Sequence, residues 1–286
     1  MDLADFVFSY KTILKLHFRE KKFIKFLKKL IGLPYKYILE LFRITFSINK
    51  KNLDSVEFDF SREKTLDELF IFFNSDKGSQ VLVNNKIIKG HNYSIIYEKY
   101  FSKKKSKEKI KILEIGSLKG ASAASFLKFF NNPEIYCLDV NPFQMKYFSN
   151  KIKKLYINTR YRSTLKQVSD YLDNEFDIII DDGSHNKRDQ ILTLNYFLPK
   201  LKRKGIYVIE DTCEYLRIPA LNDDNFDYGV NEFVSSIFNT GKHYSKYLND
   251  KEKKNIQRMI HSFSLENGNF VLNNKNFPEI IFIEKK

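Results

Sequence analysis

Cysteine is scarce in this 286-residue chain: Cys137 and Cys213 are the whole complement. Both sit in or beside apolar strand-like runs, which argues against a disulfide framework and against a thiolate metal centre. No stretch approaches the ~20 uncharged apolar residues that a membrane-spanning helix needs. The opening Met1-Asp-Leu-Ala-Asp5 has neither a basic segment nor an apolar one after it, so no secretory signal is expected. Internal repeats are missing, and the low-complexity signal is confined to the lysine-rich run 103–109. These absences lead to the expectation of a cytoplasmic protein.

Basic residues, by contrast, are abundant and unevenly placed. The formal net charge is +14, and residues 1–50 hold 11 Lys/Arg against 4 Asp/Glu. Half of the excess therefore lies in that segment. Phe23, Phe26, Leu27, Leu30 and Ile31 recur at helical spacing, with Lys21, Lys25, Lys28 and Lys29 on other faces. This predicts a basic amphipathic helix ending near Gly32 and Pro34. Residues 11–31 fit attachment to an anionic membrane surface, which would make the protein peripheral at the inner face of a membrane. They also fit a helix packed on the rest of the chain or on a second copy in a homo-oligomer, the commoner role of amphipathic helices. Nucleic acid is not an expected partner, because no recognisable binding module accompanies the lysines.

From about residue 106 the chain alternates strands and helices. Strand-like runs at Ile110–Ile115, Glu134–Val140, Lys154–Asn158, Phe176–Ile180 and Gly205–Ile209 alternate with helical patterns near Ser122–Phe130, Phe143–Ile152, Thr164–Leu172, Lys187–Leu201 and Asn231–Phe238. A charged helix over Tyr244–Met259 and two late strands, Ile260–Leu265 and Glu279–Glu284, follow. The predicted fold is α/β: a Rossmann-like, mostly parallel seven-stranded sheet with an antiparallel edge pair, over residues 61–286. Residues 1–60 form a basic helical extension.

Two of these strands stop abruptly in carboxylates. The run ending Asp181-Asp-Gly-Ser-His185 and the run ending Glu210-Asp211 read as buried parallel strands, whose carboxyl edge is where open α/β folds place ligands. Strands in one sheet lie ~5 Å apart, so Asp182, Glu210 and Asp211 can meet around one hard cation with His185 beside it. Oxygen ligands favour Mg²⁺ or Mn²⁺ over zinc. The first strand runs into Leu113-Glu-Ile-Gly-Ser-Leu-Lys-Gly120, whose glycines let the backbone turn tightly against a ligand. Asp139 ends the next strand 23 residues after Gly116 and can accept hydrogen bonds from both ribose hydroxyls of an adenosine. That spacing fits a dinucleotide or S-adenosylmethionine. Leucine at position 118 breaks the Gly-x-Gly-x-x-Gly pattern of a pyrophosphate site, and the late antiparallel pair is the layout of class I methyltransferases, so the methyl donor is favoured.

Taken together, Ser75-Asp-Lys-Gly-Ser79, His91-Asn-Tyr-Ser94 with Tyr97, Leu113–Gly116, Asp181–His185 and Tyr207–Asp211 resemble the metal-dependent sugar O-methyltransferases typified by the macrocin and mycinamicin enzymes. The resemblance covers roughly residues 66–286. It implies a divalent ion on Asp182, Glu210 and Asp211, and His185 as general base. It also implies cofactor contacts from Glu114, Gly116, Ser117, Gly120, Asp139 and Asp181, and substrate or cofactor contacts from Lys77, His91 and Tyr97. The segment Asn158–Thr164 departs from the family's Gly-Asp-Gln pattern, which leaves adenine contacts unassigned. The implied substrate is a sugar or nucleotide-sugar, from a cell-surface polysaccharide by analogy, with further contacts from the stretch before Ile110 and from Thr212–Tyr228. Two other classes compete. A nucleic-acid amino-methyltransferase would carry Asn-Pro-Pro-Tyr or Asp-Pro-Pro-Tyr after the fourth strand, and none is there. A non-catalytic, membrane-associated member need not retain every acidic residue and the histidine, and all are present.

Overall fold

The computed structural model describes residues 1–45, 49–55, 58, 64–173, 175–222, 228–269, 271–272 and 275–286. Along the chain run α1 (Leu3–Arg19), α2 (Phe23–Thr45), β1 (Lys51–Asn52), α3 (Leu66–Phe73), β2 (Gln80–Val83), β3 (Lys86–Lys89) and α4 (Tyr93–Phe101). Then come β4 (Ile110–Ile115), α5 (Ala121–Phe129), β5 (Pro133–Asp139), β6 (Tyr147–Phe148), β7 (Ile152–Tyr156), α6 (Arg162–Tyr171), β8 (Phe176–Asp181), α7 (Lys187–Phe197) and β9 (Leu201–Ile209). The chain closes with α8 (Glu214–Arg217), α9 (Val230–Thr240), α10 (Asp250–Met259), β10 (Ile260–Glu266), β11 (Val271–Leu272), β12 (Lys275–Asn276) and β13 (Ile280–Lys285). The expected boundary between residues 60 and 61 lies outside the described residues.

Seven strands form one sheet in the order β10-β13-β9-β8-β4-β5-β7. β13 is antiparallel to both of its neighbours, β9 and β10, while β9, β8, β4, β5 and β7 are mutually parallel. This is the class I methyltransferase architecture expected from the sequence. Its central strands carry unbroken apolar runs because both faces are covered. In β8, Ile178 and Ile180 pack with Phe70, Tyr97 and Phe126 on one side. Ile179 packs with Leu165, Phe197 and Phe233 on the other. Each fully buried isoleucine contributes about 1.5–3 kcal/mol relative to exposure.

The chain reverses direction between β4 and β8. β4 leads outward through β5 and β7, whereas β8 leads the other way through β9. A crevice opens beyond the carboxyl ends of the strands at such a reversal. The register sets Ile115 beside Asp181 and Asp181 beside Ile209, so the next residues, Gly116, Asp182 and Glu210, emerge side by side.

Three elements differ from the sequence expectation. α2 does not end near Gly32 and Pro34 but continues to Thr45. Proline inside a helix removes one backbone donor at a cost of ~3 kcal/mol. Here the acceptor left over is the Leu30 carbonyl, and the Tyr10 hydroxyl of α1 donates to it at 3.0 Å. The helix predicted over Phe143–Ile152 is replaced by a short 3₁₀ turn at Pro142–Gln144 and the strand β6. Tyr147 and Phe148 pair in parallel with Lys51 and Asn52, a partner remote in sequence that outweighs the local pattern. The last charged helix starts at Asp250 instead of Tyr244, fixed by a reciprocal cap in which Asn249 and Glu252 bond each other's backbone amides.

The α1–α2 hairpin covers the edge strand β7. Ser9 Oγ accepts the Tyr156 amide at 3.0 Å, satisfying a backbone donor on the exposed edge. Glu40 of α2 is buried between Lys154 Nζ at 2.8 Å and Lys50 Nζ at 2.9 Å. Burial pushes the Glu40 carboxyl up, but the two ammonium groups outweigh it and hold it below its usual range. No described helix is long and apolar enough to cross a membrane.

Candidate active site

The glycine turn after β4 has a steric origin. Gly116 takes φ +91°, and a Cβ on it would stand 1.8 Å from the Asp182 carbonyl oxygen. The two strand ends therefore touch backbone to backbone, which only glycine permits. Gly120 begins α5 at φ +81°, also in the left-handed region. Asp139 ties this turn to β5. Its Oδ2 accepts the Leu118 amide at 2.9 Å, and its Oδ1 accepts the Asn141 amide at 2.7 Å and Gln144 Nε2 at 3.1 Å. A cavity of about 410 Å³ opens beside it, lined by Gly116, Asp139, Asn158, Thr159, Ser184 and Asp189 among others. Asn158 and Thr159 belong to the segment that departs from the family pattern.

A second cleft of about 740 Å³ shares Gly116, Asp139 and Gly183 with that cavity. Lys77, His91, Ser117, Asp182, His185 and Asp211 also line it. Asp182, His185 and Asp211 each offer one ligand atom, and these atoms lie within 4.8 Å of one another. His185 Nδ1 is 3.7 Å from Asp211 Oδ2, and Nε2 is 3.9 Å from Asp182 Oδ1. His185 and Asp211 both adopt left-handed φ values, +53° and +51°. Such backbone is uncommon away from glycine and clusters at functional sites.

Glu210 faces inward from the same edge. Lys77 Nζ donates to Glu210 Oε2 at 2.6 Å and to Asp182 Oδ2 at 2.5 Å. Tyr97 donates to the other Glu210 oxygen. Tyr93, which the sequence reading did not single out, donates to Asp211 Oδ1 at 2.6 Å, and His91 Nδ1 lies 3.7 Å from the same oxygen. The aromatic and basic residues of Ser75–Tyr97 thus serve as partners for the three carboxylates. Their signal in the sequence was the motif itself, since their partners lie more than a hundred positions away.

Burial drives the electrostatics. It pushes Lys77 down, but Asp182 and Glu210 outweigh it and hold the ammonium well above its ordinary value. Burial and the neighbouring Asp182 push Glu210 well up in spite of Lys77. Asp182 is raised by burial, with Lys77 opposing. Asp211 goes the other way: His185, His91 and the Tyr93 hydroxyl outweigh its burial and lower it. Asp182 and Glu210 thus share the Lys77 ammonium, and burial still raises both, whereas Asp211 is balanced by the histidines and Tyr93.

The remaining expected residues are placed differently. Glu114 is buried, raised by desolvation, and accepts from the Ser122 hydroxyl. Ser117 donates to the Glu114 carbonyl at 3.2 Å. Asp181 is buried, with its carboxyl pushed up to about 7 by desolvation; Thr193 donates to one oxygen and the Gly183 amide to the other at 3.3 Å. Glu114, Gly120 and Asp181 line neither cavity. They brace the turns from behind. Part of the expected substrate stretch, residues 223–227, lies outside the described residues.

The stretch from β4 to Thr212, which carries both cavities' shared floor, matches the methyltransferase domain family over residues 113–212. That match covers about a third of the chain. The domain's relatives agree with the resemblance read from the motifs. Over 166 residues the chain is 23% identical to the 8-demethyl-8-alpha-L-rhamnosyl tetracenomycin-C 2'-O-methyltransferase of Streptomyces olivaceus, covering 55% of this chain and 43% of that enzyme. Among solved structures, the MycE methyltransferase of the mycinamycin biosynthetic pathway, in complex with Mg, SAH and mycinamycin VI, superposes with a TM-score of 0.57 at 19% identity. That match covers 79% of this chain and 55% of MycE. A second MycE structure, with Mg and SAH, gives 0.55 at 20% identity. The chain thus spans about half the length of these relatives.

Proposed function

We propose that the chain is an S-adenosylmethionine-dependent O-methyltransferase acting on a sugar hydroxyl, assisted by Mg²⁺ or Mn²⁺. The observation that carries this reading is the convergence of Asp182, His185 and Asp211 on the cleft that shares Gly116, Asp139 and Gly183 with the cofactor-sized cavity. A methyl donor in one space and a hydroxyl in the other would meet at that shared wall. One relative is named as a 2'-O-methyltransferase of 8-demethyl-8-alpha-L-rhamnosyl tetracenomycin-C, which supports a sugar acceptor. For this chain we favour a nucleotide-linked or glycan sugar of a cell-surface polysaccharide, methylated in the cytoplasm.

The residues fit a divalent cation. Asp182 and Asp211 offer oxygens to the cleft, Glu210 lies beside them, and the carboxylates outnumber Lys77. When bound, the ion acts as a Lewis acid that makes a hydroxyl more acidic. The chain's own groups do the rest. Gly116 brings the backbone against the cofactor, and Asp139 offers acceptors for ribose hydroxyls. His185 takes the hydroxyl proton at Nε2, since Nδ1 is buried without a hydrogen-bond partner; Asp211, beside Nδ1, stabilises the imidazolium that forms. A positioned base of this kind contributes ~10²–10⁴-fold. Rigid strand ends align oxygen, methyl carbon and sulfur for in-line displacement. The test is a methyl-transfer screen of candidate nucleotide-sugars and glycan acceptors with S-adenosylmethionine, with and without EDTA; no transfer to any sugar would overturn the reading.

A second reading concerns location. Phe23, Ile24, Leu27, Ile31 and Ile38 are all more than half exposed along one side of α2, with lysines flanking them. We propose that this stripe lies on an anionic membrane surface, its charge complementary to the lipid headgroups. Co-flotation of the full chain with anionic but not neutral vesicles tests it. A concentration-dependent dimer with no vesicle binding would assign the stripe to a second copy instead.

A further inference from the structure

Apart from the two cavities at the strand ends, the N-terminal hairpin builds a third recess. It has a volume of about 410 Å³ and lies between α1, α2 and the segment that follows β5. Lys25, Lys28, Lys29 and Lys36 of α2, with His17 of α1, form its basic side; Leu33 and Tyr156 contribute to an apolar side. None of its lining residues is acidic.

Elsewhere this hairpin meets buried cations from the rest of the chain with a carboxylate. Lys50 and Lys154 both bond Glu40. The recess lysines differ: Lys29 is half-buried and Lys25, Lys28 and Lys36 are exposed at the rim, and among the described residues none of the four has an ion-pair partner, the nearby Glu20 being engaged with Lys22 at 3.4 Å. His17 Nδ1 is buried with no hydrogen-bond partner. Burial and the neighbouring Lys36 lower Lys29, and burial with the surrounding lysines lowers His17. Four like charges brought around one cavity repel each other and weaken the fold unless an anion offsets them.

We propose that this recess binds a phosphate-bearing ligand, with closely spaced phosphates among the lysines and the adjoining organic part against the apolar side. A single carboxylate has too little charge to balance four ammonium groups. Lysines act as point charges suited to phosphate. A single-stranded nucleic acid would instead need a continuous groove with stacking platforms. Val140 and Asn158 line both the recess and the cofactor-sized cavity, so a phosphate held here lies one wall away from it. The site is distinct from the acceptor cleft and does not depend on the methyl-transfer reading.

The same phosphate chemistry is offered by a soluble nucleoside diphosphate and by a lipid headgroup. The full chain is titrated by calorimetry with inorganic pyrophosphate and with a nucleoside diphosphate, and by sedimentation with vesicles of phosphatidic acid or of neutral phosphatidylcholine. Saturable, salt-sensitive binding of the soluble ligands supports the site and names a nucleotide; binding of phosphatidic acid vesicles alone supports it and names a lipid. In either case Lys29→Gln with Lys36→Gln weakens binding by about tenfold or more for each lysine removed. Gln keeps the alkyl packing, and Lys36→Gln alone serves if the double variant does not fold. Binding by none of these probes, or equal binding by the folded variants, overturns the proposal.

Discussion

Lys77 Nζ lies 2.6 Å from Glu210 Oε2 and joins the loop after α3 to the end of β9 across 133 positions of sequence. Both side chains are almost fully buried. Removing one partner of a buried pair leaves the other uncompensated and costs about 3–5 kcal/mol. Lys77→Met is therefore expected to lower the melting temperature sharply, with Mg²⁺ restoring more stability to the variant than to the parent. A thermal-shift series against Mg²⁺ checks this; an unchanged melting temperature would show that the ion pair carries no weight.

Asp139 offers two acceptors at the wall of the cofactor-sized cavity. Asp139→Ala removes bonds to ribose hydroxyls worth ~1.5–3 kcal/mol each, so calorimetry is expected to show S-adenosylmethionine binding weakened by about tenfold or more. Unchanged affinity would move the cofactor elsewhere. Because Asp139 also holds the Leu118 and Asn141 amides, circular dichroism of the variant separates lost binding from a lost turn.

Gly116→Ala would drive a methyl group against the Asp182 carbonyl. Backbone at that distance has no room to yield, so the two strand ends must part. The expected result is loss of cofactor affinity together with a lower melting temperature, and an alanine variant that binds normally would contradict the packing described.

Tyr10 and Pro34 form a compensating pair. Tyr10→Phe strips the Leu30 carbonyl of its donor and is expected to cost about 1 kcal/mol in urea unfolding. In a Pro34→Ala background the helix supplies its own amide, so the same change should cost much less. Equal costs in the two backgrounds would show that the hydroxyl does not substitute for the missing amide.

Much of the fold is legible in the sequence because buried parallel strands write continuous apolar runs, and β4, β8 and β9 each end where the chain turns to glycine or carboxylate. The edge carrying Asp182, Glu210, Asp211 and His185 follows from that pattern alone. What is not legible depends on partners far away. α2 passes Pro34 because Tyr10 sits in another helix, and residues 143–152 do not coil because β6 pairs with β1. Likewise the carboxylates do not all face one way: Glu210 is turned toward Lys77 and Tyr97, whereas Asp211 meets Tyr93 and His91, and strand periodicity does not name those distant partners. Glu114 and Asp181 show a related limit. Each stands in sequence beside a turn that lines the cleft, yet its carboxylate points into the protein and bonds a hydroxyl there.

The most direct measurement is single-turnover methyl transfer to a sugar acceptor at increasing free Mg²⁺, starting from EDTA-treated protein, for the parent chain, Asp182→Asn and His185→Ala. The parent is expected to be inactive without metal and to recover on addition, Asp182→Asn to need far more metal, and His185→Ala to bind cofactor normally while turning over about 10²-fold more slowly. Full transfer by metal-free parent protein, or normal turnover by His185→Ala, would contradict a carboxylate-held cation working with a histidine base.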